Sequence, residues 1–378
     1  FGIHGLFDEF KIVGEESIFG GLSKIWDPGA NGTLEDPSTP RIDDVNNTLN
    51  SPDANPEITG EDSTRIALFL IEQYDLNEVT TLNAGIRWEQ IDRKYEGTSD
   101  YDKSTFSASG GISYDLSDLW NVSGNVNYSE RTPDTAELYS DGAHHATESY
   151  EIGNPNLENE SAVGVEIIVR KTVGKVTGQF SAFHTKYNDY IFLKHTEQER
   201  DSDGNLKNTT AYTDSDGFPK GTEGLEEKAY EAVDAEFQGL EVEIDWLAME
   251  NPGWDLLLSF YGDTITGKNK TEGGNLPRIP ASRLGVGFEV MQEKLDFGMN
   301  LTRSLEQDNL GDDEEVTPAY SLINAFASYD VSLGDTVGQL FVKGSNLTDE
   351  LAYNHASVLK QYAPLPGRSV EIGLKFDF

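Results

Sequence analysis

The groups best suited to chemistry are two imidazoles side by side. His144 and His145 stand in a polar stretch with Asp141 and Glu148 close by, and another imidazole, His355, lies near the C-terminal end. Neutral imidazoles and carboxylates suit Zn²⁺, which takes about four ligands in a tetrahedron. Side chains of adjacent residues diverge, so one of the pair, with His355 from another loop and a carboxylate, makes the better ligand set. The same residues also suit a plain solvated loop, and the residues alone leave both open. Asp201-Ser202-Asp203-Gly204-Asn205 and Asp214-Ser215-Asp216-Gly217 are rich in oxygen donors. An EF-hand wants a glutamate at the twelfth position, which here is Tyr212, so only looser Ca²⁺ binding by these loops stays open. No Ser-His-Asp or paired-carboxylate arrangement and no phosphate-cradling glycine loop is legible. Cysteine is absent, which excludes disulfides, thiolate metal sites and cysteine nucleophiles. An enzyme is not expected, and no resident cofactor is required.

Strands must position these groups. Alternation of apolar and polar residues predicts about fourteen of them, at roughly 1–13, 63–76, 78–92, 104–116, 119–131, 161–173, 175–192, 232–247, 254–267, 280–292, 294–306, 317–333, 337–349 and 366–378. Their connections alternate in kind. One set is turn-like, as at Asp75-Leu76-Asn77-Glu78, Leu116-Ser117-Asp118-Leu119, Val173-Gly174-Lys175 and Gln292-Glu293-Lys294. The other is long and polar, at about 15–62, 93–103, 132–160, 193–231, 268–279, 307–316 and 350–365. Short turns at one end and long loops at the other distinguish an outer-membrane barrel, periplasm against exterior, from a β-sandwich.

The last strand agrees. Val370, Ile372, Leu374, Phe376 and Phe378 alternate with polar residues to the end of the numbered chain. A bare apolar edge invites pairing with other chains, and a closed barrel removes it. Phe378 then lies on the short-turn, periplasmic side. The expected fold is all-β, a transmembrane antiparallel up-and-down β-barrel embedded in outer-membrane lipid of a Gram-negative bacterium. Trp26, Trp88, Trp120, Trp246 and Trp254, mostly near strand ends, suit interfacial girdles. His184 falls inside a strand and reads as a polar residue facing the lumen.

Acidic residues number 67 and basic residues 28, for a net charge of −39. That field repels nucleic acid and attracts cations. Surface solubility in a salty habitat and an acidic vestibule for a cationic ligand both fit it.

Several segments resemble the TonB-dependent outer-membrane receptors. Tyr128-Ser129-Glu130-Arg131-Thr132-Pro133-Asp134-Thr135-Ala136-Glu137-Leu138-Tyr139 is similar to the family's Arg-x-Pro…Glu-Leu-Tyr segment. Gly153-Asn154-Pro155-Asn156-Leu157-Glu158-Asn159-Glu160 is similar to its Gly-Asn-Pro-x-Leu-x-x-Glu segment, and Asn346-Leu347-Thr348-Asp349 to its Asn-Leu-x-Asp. Pro366-Gly367-Arg368 leads into the closing strand as in the family. Within the family, Val13-Gly14-Glu15-Glu16-Ser17, residues 141–147, 187–192, 354–360 and 363–368 look like the zinc-uptake branch, whose members take zinc or, in some cases, haem. That branch often carries a His-rich insertion in its largest outer loop, where this chain has only His195.

The resemblance implies about twenty-two strands, an N-terminal plug and a segment that contacts TonB. Residues 1–378 then form the C-terminal portion of the barrel, with the plug and the first strands outside this chain. The implied function is active uptake, through TonB, of a scarce metal or metal chelate. Zinc is favoured, with haem or a ferric siderophore next. A passive porin of about fourteen strands is the rival.

Overall fold

A chain with one wet and one apolar side to each segment folds as strand after strand. The computed structural model describes residues 4–12, 61–95, 100–144, 147, 149–200, 204, 206, 224–333, 336–360 and 362–376. The sheet begins with β1 (His4–Ile12), β2 (Glu61–Asn77), β3 (Thr80–Tyr95), β4 (Tyr101–Ser117) and β5 (Trp120–Arg131). A helical turn, α1 (Thr135–Tyr139), and two short strands, β6 (Asp141–His144) and β7 (Ser149–Ile152), follow. The main path resumes with β8 (Glu160–Lys171), β9 (Val176–Arg200), β10 (Leu225–Asn251), β11 (Trp254–Asn269) and β12 (Arg283–Gln292). It ends with β13 (Leu295–Ser304), β14 (Tyr320–Leu333), β15 (Thr336–Ser345) and β16 (Ser369–Phe376). Apart from β6 and β7, each strand pairs with the next along the path, always antiparallel; among the described residues β1 and β16 are its two ends.

Cross-strand partners share a face of the sheet, so the registers show where the apolar residues go. Leu82, Ile112, Gly124, Ile167, Ala182 and Leu240 lie opposite one another from β3 to β10. Trp246, Leu258, Phe288, Met299 and Ala325 continue the band to β14. Val342 faces Ile372 and Leu340 faces Leu374, so the closing strand joins the same band. Ile167 is 58% exposed and Ile372 70%. A continuous bare apolar face of this extent takes lipid as its solvent. The opposite face is polar, with Asn125 opposite Glu166, whose carboxylate accepts a 2.9 Å hydrogen bond from Ser181. No described helix is long and apolar enough to cross a membrane.

The short connections are tight for local reasons. Asn77 Oδ1 accepts the Val79 N–H at 3.0 Å, and Gly253 adopts φ 96°, a conformation open to glycine. Trp120, Trp246 and Trp254 all sit exposed beside these turns, as an interfacial girdle requires. Trp88 instead stands well inside β3, and Trp26 lies outside the described residues.

Two sequence expectations need correction. β9 runs for 25 residues and β10 for 27, so residues 193–200 and 225–231 are strand rather than loop. Roughly 9–11 residues suffice to cross a bilayer, and the surplus forms a ribbon standing beyond it. His184 lies opposite Val165 and Gln238, on the apolar outward face, with its Nδ1 3.9 Å from Glu236 Oε1. With Gln238 and Glu236 it marks the upper limit of the band.

Candidate functional site

The long connection between β5 and β8 is held by one guanidinium. Arg131, the last residue of β5, donates to Glu160 at the start of β8 through Nε and Nη2, both at 3.1 Å. It also reaches Glu137 in α1 at 2.8 and 3.0 Å. Glu137 closes a capping box with Asp134, each side chain accepting the other's N–H at 2.8 Å. Glu160 further accepts the Ile191 N–H at 3.0 Å. Leu138, Leu157 and Ile191 pack beneath this network as a small core.

On that base the β6–β7 hairpin docks against the ribbon. Ser149–Ile152 pair in parallel with Glu226–Ala229, while β9 pairs with the other edge of β10. Asp141 Oδ1 accepts the Tyr150 hydroxyl at 2.8 Å, and Arg200 stacks its guanidinium 5.4 Å from the Tyr150 ring centre. His144 Nδ1 lies 3.0 Å from Glu151 Oε1, which also accepts Thr147 Oγ1 at 2.6 Å. The hydrogen bond to Glu151 raises the His144 pKa against the opposing effect of burial. Burial alone would raise the Glu151 carboxyl, but hydrogen bonds from His144 and Thr147 outweigh it and leave the pKa lowered.

Beside the hairpin, at the long-loop end, opens a cavity of about 540 Å³. The tops of β9 and β10, the β11–β12 and β13–β14 loops and the β15–β16 connection form its walls. His195 Nδ1 sits 2.6 Å from Asp313 Oδ2 and also faces the Glu197 N–H at 3.2 Å. Asp313 takes φ 58°, a left-handed conformation aspartate tolerates. Its neighbour Glu314 fixes the loop by accepting the N–H groups of Arg278 at 2.7 Å and Gly311 at 2.9 Å. His355 is 3% exposed, and its Nδ1 meets the Thr317 hydroxyl at 2.7 Å. Its Nε2 lies 3.3 Å from Glu314 Oε2 but out of line, so that nitrogen has no hydrogen-bond partner. Burial pushes the His355 pKa down, only partly offset by Glu314, and so favours the neutral ring. Lys194, Lys228, Arg278 and Lys360 share the walls with five carboxylates, so the cavity is not a plain acidic sink.

The ligand set read from the sequence is thus dispersed. His355 lines the cavity; His144 and Asp141 sit in the hairpin with partners of their own, and Thr147 links His144 to the cavity wall. His145 and Glu148 lie outside the described residues, as do the acidic runs at 201–203 and 214–217. Among the described residues, the ligand atoms that converge belong to His195, Glu226 and Asp313, all within 4.8 Å of one another. They come from distant stretches of chain, and the lone histidine of a long polar loop was their only sequence signal.

A lipid-facing band, turns at one end, and a walled cavity among long loops at the other define an outer-membrane receptor barrel. Residues 12–347 match the family described as TonB dependent receptor-like, beta-barrel, and the chain belongs to that family. It is a protein of the outer membrane, and the expectation of a receptor rather than an enzyme agrees with that membership. Among curated relatives it is 24% identical over 285 residues to the heme/hemopexin utilization protein C of Haemophilus influenzae, covering 71% of this chain and 37% of the relative. Among solved structures it is similar to the copper transporter OprC (TM-score 0.65, 16% identity, 84% of this chain and 48% of that one). It is also similar to the FrpB iron transporter of Neisseria meningitidis (TM-score 0.59, 15% identity, 84% and 45%). The chain therefore spans less than half the length of these relatives.

Proposed function

We propose that this chain is the C-terminal portion of the barrel of a TonB-dependent active transporter, which captures a scarce metal species outside the cell and passes it to the periplasm. Zinc is the favoured cargo, as the ion or in a small chelate. The observation that carries the reading is the cavity at the long-loop end, where His195, His355, Asp313 and Glu226 present nitrogen and oxygen donors together. Its volume of about 540 Å³ exceeds what a bare ion needs and falls within the range of small-ligand sites.

Nanomolar capture corresponds to about 12 kcal/mol of binding free energy, and a site that tight releases its ligand slowly. The outer membrane stores no energy to reverse it. TonB, working through a plug segment, supplies that work from the inner-membrane proton gradient.

Haem is the second reading, favoured by the names of the curated relatives and by lysines near imidazoles in the same cavity. Growth of cells with and without the receptor, limited in turn for zinc and for haem iron, tests the cargo. A receptor-dependent advantage under zinc limitation supports the metal reading; an advantage confined to haem overturns it.

A further inference from the structure

We propose that His195, Asp313 and Glu226 form a binding site for a divalent first-row transition metal ion, with His355 as the further imidazole that closes it. This rests on the reading of the cavity as a place of metal capture and names the residues that hold the ion there.

The three ligand atoms lie within 4.8 Å of one another although they come from β9, β10 and the β13–β14 loop. Metal–ligand bonds of about 2.0–2.2 Å put tetrahedral ligands roughly 3.3 Å apart. The widest spacing must therefore shrink, and the exposed side chains of Asp313 and Glu226 have the freedom to do so. His195 Nδ1 faces both the Glu197 N–H and the Asp313 carboxylate, and it cannot accept from one and donate to the other at once. A cation bound by both imidazole and carboxylate resolves that conflict, once their 2.6 Å separation opens to the roughly 3.3 Å of two metal ligands.

An independent observation points the same way. His355 is 3% exposed, lines this cavity, and leaves Nε2 without a hydrogen-bond partner. Its Nδ1 is held by Thr317 at 2.7 Å, while Nε2, 3.3 Å from Glu314 Oε2 but out of line for a hydrogen bond, stays unsatisfied; an imidazole oriented through one nitrogen is how metal-binding histidines are supported. Mixed imidazole and carboxylate donors suit Zn²⁺, Fe²⁺ or Mn²⁺ over soft Cu⁺. The competing cation is internal, since Lys228 Nζ lies 3.8 Å from Glu226 Oε2.

The test is isothermal titration of Zn²⁺ on the intact receptor in detergent, beside His195→Gln/Asp313→Asn and a control, His184→Gln, on the outward face. The double variant is expected to bind at least tenfold more weakly, and the control to match the parent. X-ray absorption of the zinc-loaded parent, which needs no variant, should show imidazole together with oxygen ligands. Equal affinity in the double variant, no zinc binding by the parent, or an all-oxygen shell each overturn the site. Zinc bound with this residue dependence but never imported keeps the site and removes the transport reading. Zinc imported with affinity and uptake unchanged in the double variant removes the site alone.

Discussion

Arg131 grips Glu160 with two nitrogens, Nε and Nη2, each 3.1 Å from a carboxylate oxygen. The pair ties the end of β5 to the start of β8 and so spans the whole intervening loop. Both residues belong to the segments that resemble the receptor family, so two motifs distant in sequence are the two halves of one fork. The paired carboxylates are mostly covered, with side-chain exposures of 11% for Glu137 and 10% for Glu160.

Removing the guanidinium strands both carboxylates. Arg131→Ala is expected to destabilise the protein by about 1–3 kcal/mol, less than for a fully buried pair because the Arg131 side chain is itself 41% exposed. Arg131→Lys should recover only part of that, because an ammonium cannot reproduce the bidentate fork. Urea unfolding of the receptor in detergent checks it; equal midpoints for parent and Arg131→Ala would contradict the account.

The hairpin carries a pH window. His144 has a raised folded pKa, so its contribution is complete below the ordinary value of 6.5 and is lost as pH rises through the raised one. Glu151 has a lowered folded pKa, so its contribution is present above 4.5 and is lost as pH falls through the lowered one. Between these values both are in place. Amide protection factors in β6 and β7 should be higher at about pH 5.5 than at about pH 9, and His144→Ala should erase the difference. Equal protection at both pH values would remove this role for the pair.

The two faces of the sheet should respond oppositely to charge. Ile167→Arg places a guanidinium in the lipid-facing band and is expected to cost about 2–4 kcal/mol near the bilayer midplane. Asn125→Lys, on the other face beside Glu166, should change stability by less than about 1 kcal/mol. Refolding into lipid vesicles measures both; a tolerated Ile167→Arg would mean the faces are assigned wrongly.

Alternation made the membrane strands and short turns legible because lipid enforces it. Above the bilayer that demand lapses. The ribbon residues Glu226, Glu227, Lys228 and Glu231 carry charge on both faces, so 193–200 and 225–231 read as loop. His184 reads in the sequence as lumen-facing because apolar residues at both Phe180 and Phe183 obscure the parity of β9. The structure shows why Phe183 departs from the outward pattern, since its ring covers Gly239 on the inner face. The convergence of His195, Glu226 and Asp313 is made by loops meeting in space, and no local spacing encodes it.

The central claim is energy-driven uptake of a metal species, and the most direct measurement is radioactive zinc accumulation in cells carrying the receptor, with TonB present and deleted. Receptor-dependent accumulation that ceases when TonB is removed is the predicted result. Accumulation that persists at the same rate without TonB would mean a passive pore and would contradict the account.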